Sequence, residues 1–311
     1  MAESEQFEIF DDEFQRILGP DPSLKLLADT LTFAEGVCWL PDQNKVIVSD
    51  IPNNRIVSWS ESDGFGIYRE PSDRANGNTV DREGRVVSCL TSGRAVVREE
   101  HDGSMTTIAD SYDGGKLTSP NDVAVKSDGS IWFTDPDYGF LELAVGHGDK
   151  PEQNRNRVYR VDPDTLDIKM VNEDFDKPNG IAFSPDESVL YVSDTGRTHG
   201  EFRPHRLMAF DLAPNPKGQR DRLENPRVFA DIEPYVPDGF RADVDGNMWV
   251  ACGDGVQVFS PGGDLLGKIH TPEVAANLSF GNRDRQTLFI GATSSIWSIE
   301  LNIAGATRPT G

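Results

Sequence analysis

With 52 acidic against 30 basic residues in 311, the chain carries a formal charge of −22. Such a surface repels nucleic-acid phosphates and anionic lipid, which argues against both as partners. Hydrophobic content of 37%, with 29 glycines and 20 prolines, fits a globular chain of many short strands and turns, long enough for one large closed architecture.

Residues 1–18 lack the basic start and apolar core of a secretion signal, and no apolar run reaches bilayer length. A reduced cytoplasmic protein is therefore expected, either monomeric or weakly self-associating. Cys38, Cys89 and Cys252 share no metal-type spacing and each lies in an apolar run, as small buried hydrophobes do. Residues 1–23 read as an N-terminal extension and 304–311 as a C-terminal tail around a 24–303 domain.

The first predicted strand, Leu24–Ala28, has no partner nearby in sequence. After it, one phrase recurs six times: an acid or amide, an apolar strand, a tight turn and a returning strand. The copies open at Glu35, Asn76, Asn121, Asn179, Asp238 and Asn277. Their turns carry hairpin chemistry, clearest at Asp128-Gly129 and Asp245-Gly246, where glycine supplies a positive φ. A third strand follows in each unit: Arg55–Trp59, Ala95–Arg98, Arg157–Val161, Leu207–Asp211, Val256–Phe259 and Ser295–Glu300. A fourth precedes the next copy in the first five: Gly66–Arg69, Met105–Ala109, Ile168–Val171, Arg227–Ala230 and Leu265–Ile269.

Four strands per unit and repeats of this length predict an all-β fold, a six-bladed β-propeller. The sixth unit supplies only three strands, so Leu24–Ala28 is expected to complete it and close the ring, which removes an exposed edge. The connections Asp135–Arg157 and Thr195–Arg206 are the longest; both leave second strands at the same end of the ring and suit loops that cover a site.

Inner strands of a propeller line its axis, so the opening residues would ring one mouth. Turn duty accounts for any single Asn-Gly or Asp-Gly. It does not account for Glu35, nor for the prolines at 120, 178 and 237 that precede three openers. Glu35, Asn121, Asn179 and Asp238 offer oxygen donors suited to one hard divalent cation. Ca²⁺ is the best match, with Mg²⁺, Mn²⁺ or Zn²⁺ as alternatives. Four protein donors leave coordination sites open for water and substrate. Second strands return to the same mouth at Asp50, Asp135 and Asp194, which can orient ligands, accept a proton or cap loops. Asp194 shares a blade with Asn179 and is the preferred proton acceptor of the three.

Ser119-Pro120-Asn121-Asp122-Val123, Gly129-Ser130-Ile131-Trp132-Phe133-Thr134-Asp135-Pro136-Asp137-Tyr138-Gly139, Pro178-Asn179-Gly180 and Pro237-Asp238-Gly239 together resemble the gluconolactonase-like family of propeller hydrolases. That family includes senescence marker protein 30 (regucalcin) and the sugar lactonases. The resemblance runs from Leu24 onward and implies metal-dependent hydrolysis of a lactone to its hydroxy acid. On it, Glu35, Asn121, Asn179 and Asp238 match the metal ligands. Arg74 and Asn76 match positions that hold sugar-lactone oxygens, and Asn121 also faces the substrate. Where bacterial sugar lactonases carry Cys-Glu-His, this chain reads Cys89-Leu90-Thr91, which suits a less polar substrate. Asp238 or Asp194 would take the proton of the attacking water. The alternatives are a phosphotriesterase on the same site and a propeller that binds Ca²⁺ or a small ligand without catalysis.

Overall fold

A computed structural model of the chain describes residues 6–141, 150–215 and 220–306. Six antiparallel sheets form a six-bladed β-propeller; from the inside outward the strands follow sequence order in blades one to four, while blades five and six take their outermost strand from the N-terminal segment. The inner strands are Ala34–Leu40, Ala75–Val80, Val123–Val125, Pro178–Phe183, Phe240–Ala242 and Ala275–Gly281. The second strands are buried almost throughout, as in Ile131–Asp135 and Met248–Cys252. Outer strands such as Gly64–Arg69 alternate between half-buried and exposed residues. This gradient follows from stacking: the middle of a blade has a neighbour on each face, whereas its rim meets solvent.

The core accordingly lies between blades. Val87, Cys89 and Val96 of blade two pack on Val123, Phe133 and Tyr159 of blade three. Trp39 of blade one stacks on Phe289 of blade six, with centroids 5.4 Å apart. Lys25–Ala28 pairs with Ser295–Glu300 as the outer strand of blade six, so the N-terminal segment closes the ring as expected.

Ahead of that strand, Phe7–Ile9 adds a fifth strand to blade five by pairing with Leu265–His270. The helix Asp12–Leu18, capped by Asp11, buries Phe14, Ile17 and Leu18 against blades five and six. The third and fourth strands of blade four run further than their apolar runs suggest, over Arg206–Pro214 and Arg220–Asp231. The added stretch of the fourth strand, 220–226, is mostly polar, and its Leu223 and Arg222 pair with Leu212 and Ala213 of the third; periodicity cannot detect such a ribbon. No helix among the described residues is long and apolar enough to cross a membrane.

Candidate metal centre

Six contacts tie the opening residues into a circle around the axis. Ser49 of blade one donates to the Asn76 carbonyl at 2.7 Å, and Gly77 of blade two donates its N–H to the Asn121 carbonyl at 2.7 Å. Thr134 of blade three donates to the Asn179 carbonyl at 2.6 Å, and Ser193 of blade four to the Asp238 carbonyl at 3.2 Å. Gly239 of blade five donates to the Ala276 carbonyl at 2.8 Å; the Asn277 amide of blade six reaches Glu35 Oε2 at 3.2 Å and completes the circle. The hydroxyl contacts come from a repeated dipeptide, Ser49-Asp50, Thr134-Asp135 and Ser193-Asp194, whose signal was visible in the chain.

Glycine after the opener makes this approach possible. A Cβ on Gly36, whose φ is +55, would stand 1.9 Å from the Asn76 carbonyl oxygen. One on Gly180 would stand 2.4 Å from that of Asp238. Backbones can therefore close on one another only where no side chain intervenes.

Within the circle, acid groups gather away from water. Glu35 is 5% exposed, and burial pushes its carboxyl up to about 7 despite the N–H of Gly36 and the Asn277 amide. Asp238 lies well above the ordinary carboxylate range, first through burial and then through the charges of Glu35 and Asp122. The Asn179 side chain and the Gly239 N–H oppose that shift as donors. Asp238 Oδ1 is buried and has no hydrogen-bond partner. Asn121 is buried as well.

Asp122 was not singled out from sequence. It occupies the slot that glycine fills in copies one, two, four and five, and that substitution was the available signal. Its carboxyl is raised by burial and held down by Arg241, whose Nη1 lies 3.7 Å from Asp122 Oδ2.

Asp50, Asp135 and Asp194 share a different task. Asp194 accepts the N–H groups of Asp176 and Lys177 at 3.1 and 2.9 Å. Asp135 does the same for Thr118 and Ser119 at 2.9 and 2.7 Å, and Asp50 for Thr32 and Phe33 at 2.9 and 3.3 Å. Each clamps the turn that leads into its own blade's inner strand. Arg74 sits in a left-handed conformation at φ 52, where its N–H bonds to Asn54 Oδ1 at 2.8 Å. Asn76 is 8% exposed with its Oδ1 buried and without a partner.

A cavity of about 270 Å³ opens beside Asp238, lined by Arg197, Thr198, Tyr235 and Cys252. Described residues of the two long connections touch one another: the Tyr138 hydroxyl bonds to Thr195, and the Tyr138 and His199 rings are 5.7 Å apart.

Among the described residues, no three His, Cys, Asp or Glu side chains cluster as a metal site. Any cation here must use mixed carboxylate and amide donors. Glu35, Asp238, Asn121 and Asn179 suit a hard ion of that kind, because Asp238 Oδ1 has no donor and Arg241 is directed at Asp122.

Residues 33–294 match the family model for the SMP-30/gluconolactonase/LRE-like region. The chain is 29% identical over 314 aligned positions to a gluconolactonase of Zymomonas mobilis, covering 95% of this chain and 86% of that one. It superposes on the structure of a Xanthomonas campestris gluconolactonase with a TM-score of 0.88 at 35% identity, covering 96% and 95% of the two chains. A calcium-binding regucalcin from Agrobacterium tumefaciens shares the fold, with a TM-score of 0.74 at 17% identity over 92% and 96% of the chains. The chain belongs to the SMP-30/gluconolactonase/LRE-like family.

Proposed function

We propose that the protein is a divalent-metal-dependent lactonase that opens a sugar lactone to its hydroxy acid. The observation that carries this reading is the buried, mutually repelling pair Glu35 and Asp238, one oxygen of which lacks any donor. Two buried carboxylates without a cation are unfavourable, and a bound ion removes that penalty. The relatives named gluconolactonase supply the reaction class.

Glu35, Asn121, Asn179 and Asp238 would hold the ion, with Ca²⁺ the preferred choice. When bound, it supplies Lewis acidity for an ester carbonyl and for water. The chain's own groups do the rest. Asp238 would accept the proton of the attacking water. Asn76 Oδ1, otherwise without a donor, and Arg74 position substrate hydroxyls. Asn121 reaches the substrate from the same circle. Asp194 holds the turn at 176–177 that presents Asn179, so it acts by positioning. Tyr138 and Thr195 cover the mouth and limit bulk water. Three free, buried cysteines suit a reducing cytoplasm.

The test is metal analysis of the purified protein with a pH-indicator screen of aldonolactones, with and without chelator. Chelator-sensitive acid release is expected, and both acid release and metal binding should fall in Asn179→Ala and Asp238→Ala while the propeller stays folded. Full activity in both variants, or in chelator, overturns the ligand assignment. Faster turnover of an organophosphate triester than of any lactone overturns the substrate class.

A further inference from the structure

The axial channel has a second mouth. A cavity of about 400 Å³ occupies it, lined by residues of all six inner strands that lie two or more positions beyond the openers. It is larger than the cavity beside Asp238, and neither the proposed metal ligands nor the described residues of the two long connections line it. Its volume falls within the usual range of small-molecule sites.

Three guanidinium groups line it: Arg82, Arg241 and Arg285. Both acids of the lining are already satisfied elsewhere. Asp81 takes Arg85 Nε at 2.8 Å, and Glu187 takes Lys126 Nζ at 3.1 Å and the Ser127 N–H at 2.7 Å. Arg285 directs Nε and Nη2 to the Gly305 and Ala306 carbonyls at 3.3 and 2.8 Å. Arg241 gives Nη1 to the Phe240 carbonyl at 2.7 Å and meets Asp122 only at 3.7 Å. Arg82, on the exposed turn between the first two strands of blade two, makes no hydrogen bond or ion pair with a described residue. In a chain of charge −22, a concave space that collects three guanidinium groups beside two carboxylates already engaged elsewhere is electrostatically out of character. Guanidinium forks match carboxylates in geometry and charge.

We propose that this opposite mouth is a binding site for a small carboxylate, gripped by Arg241 and Arg82 over the apolar wall of Trp39, Val123 and Phe280. The inference rests on this cavity alone and stands whether or not the other mouth is a lactonase site. Because the long-range field opposes anions, the short-range contacts must supply the affinity, and binding should strengthen as salt screens the surface.

The test is calorimetric titration with sodium D-gluconate, with D-glucose as the uncharged control. It is run on the protein and on Arg82→Ala, Arg241→Gln and Asp238→Asn. Saturable gluconate binding without glucose binding is expected, together with a change in tryptophan fluorescence because Trp39 lines the cavity. Loss of one charged donor should weaken it about tenfold in Arg241→Gln and somewhat less in Arg82→Ala. Asp238 is not in the lining of this cavity, so Asp238→Asn should leave the binding unchanged. Absence of saturable binding, unchanged affinity in Arg82→Ala, or loss in Asp238→Asn overturns the proposal. Should Arg241→Gln fail to fold, Arg82→Ala on its exposed turn decides.

Discussion

Asn277 Nδ2 lies 3.2 Å from Glu35 Oε2, although the two residues are 242 positions apart. That contact joins the last blade to the first. Replacing Asn277 with alanine should remove a buried donor to a carboxylate, at a cost of about 1–3 kcal/mol in stability. It should also weaken divalent-cation affinity, since Glu35 then loses its orientation. Denaturant melts and metal titration of Asn277→Ala check both; unchanged affinity would show that Glu35 needs no such support.

The pH dependence of stability has a definite sign. Burial raises the Glu35 carboxyl from 4.5 to about 7, so the folded state binds its proton more tightly than the unfolded chain does. That contribution is fully present below about 4.5 and lost as pH rises through about 7. Asp135, also raised to about 7 by burial, adds the same sign. In chelator, melting temperature should fall between pH 5 and 8 (roughly one to two units around these values). Saturating Ca²⁺ should flatten the fall, and Glu35→Gln should reduce it. A melting temperature that climbs through this window in chelator would contradict the assignment.

Asp238→Asn should separate activity from stability. The change removes one buried charge that faces Glu35 and Asp122, so the metal-free protein should gain stability. Lactone hydrolysis should drop by about two orders of magnitude or more through loss of the proton acceptor. Melts in chelator and initial rates with Ca²⁺ provide the two readings. A variant that is less stable and fully active would reverse both expectations.

Gly36→Ala should be far more damaging than Gly103→Ala. Both glycines have positive φ, +55 and +82, but only at Gly36 would the new methyl group meet backbone, 1.9 Å from the Asn76 carbonyl. Nothing lies within 4 Å of the corresponding position on Gly103. The exposed turn should lose about 1 kcal/mol, and the axial position about 3 kcal/mol or more. Urea melts of the two variants give the comparison, and equal losses would mean that the inner strands can separate.

Removal of residues 1–18 should destabilise the propeller even though the closing strand Lys25–Ala28 is kept. Phe14, Ile17 and Leu18 are at most 2% exposed, and the Phe14 ring covers Gly267. Loss of three such side chains costs about 5 kcal/mol, and the edge of Leu265–His270 becomes free to aggregate. A truncated chain that melts and remains soluble like the full one would show the helix to be dispensable.

The amino-acid sequence by itself determined the blade count, the four-stranded unit and the closure by the N-terminal strand. Those features are local: apolar alternation, hairpin turns and a recurring opener are written within each forty- to sixty-residue repeat. It also identified Glu35 and Asp238 as opening residues worth attention. It could not show that Asp50, Asp135 and Asp194 are drawn into clamping backbone turns, because a carboxylate at a strand end looks the same whether it faces a ligand or a neighbouring N–H. Nor could it bring Asn277 to Glu35, set Asp122 between two mouths, or gather Arg82, Arg241 and Arg285 around one cavity. Each of those depends on closing the ring, which sets residues from distant blades side by side across an axis that no local pattern encodes.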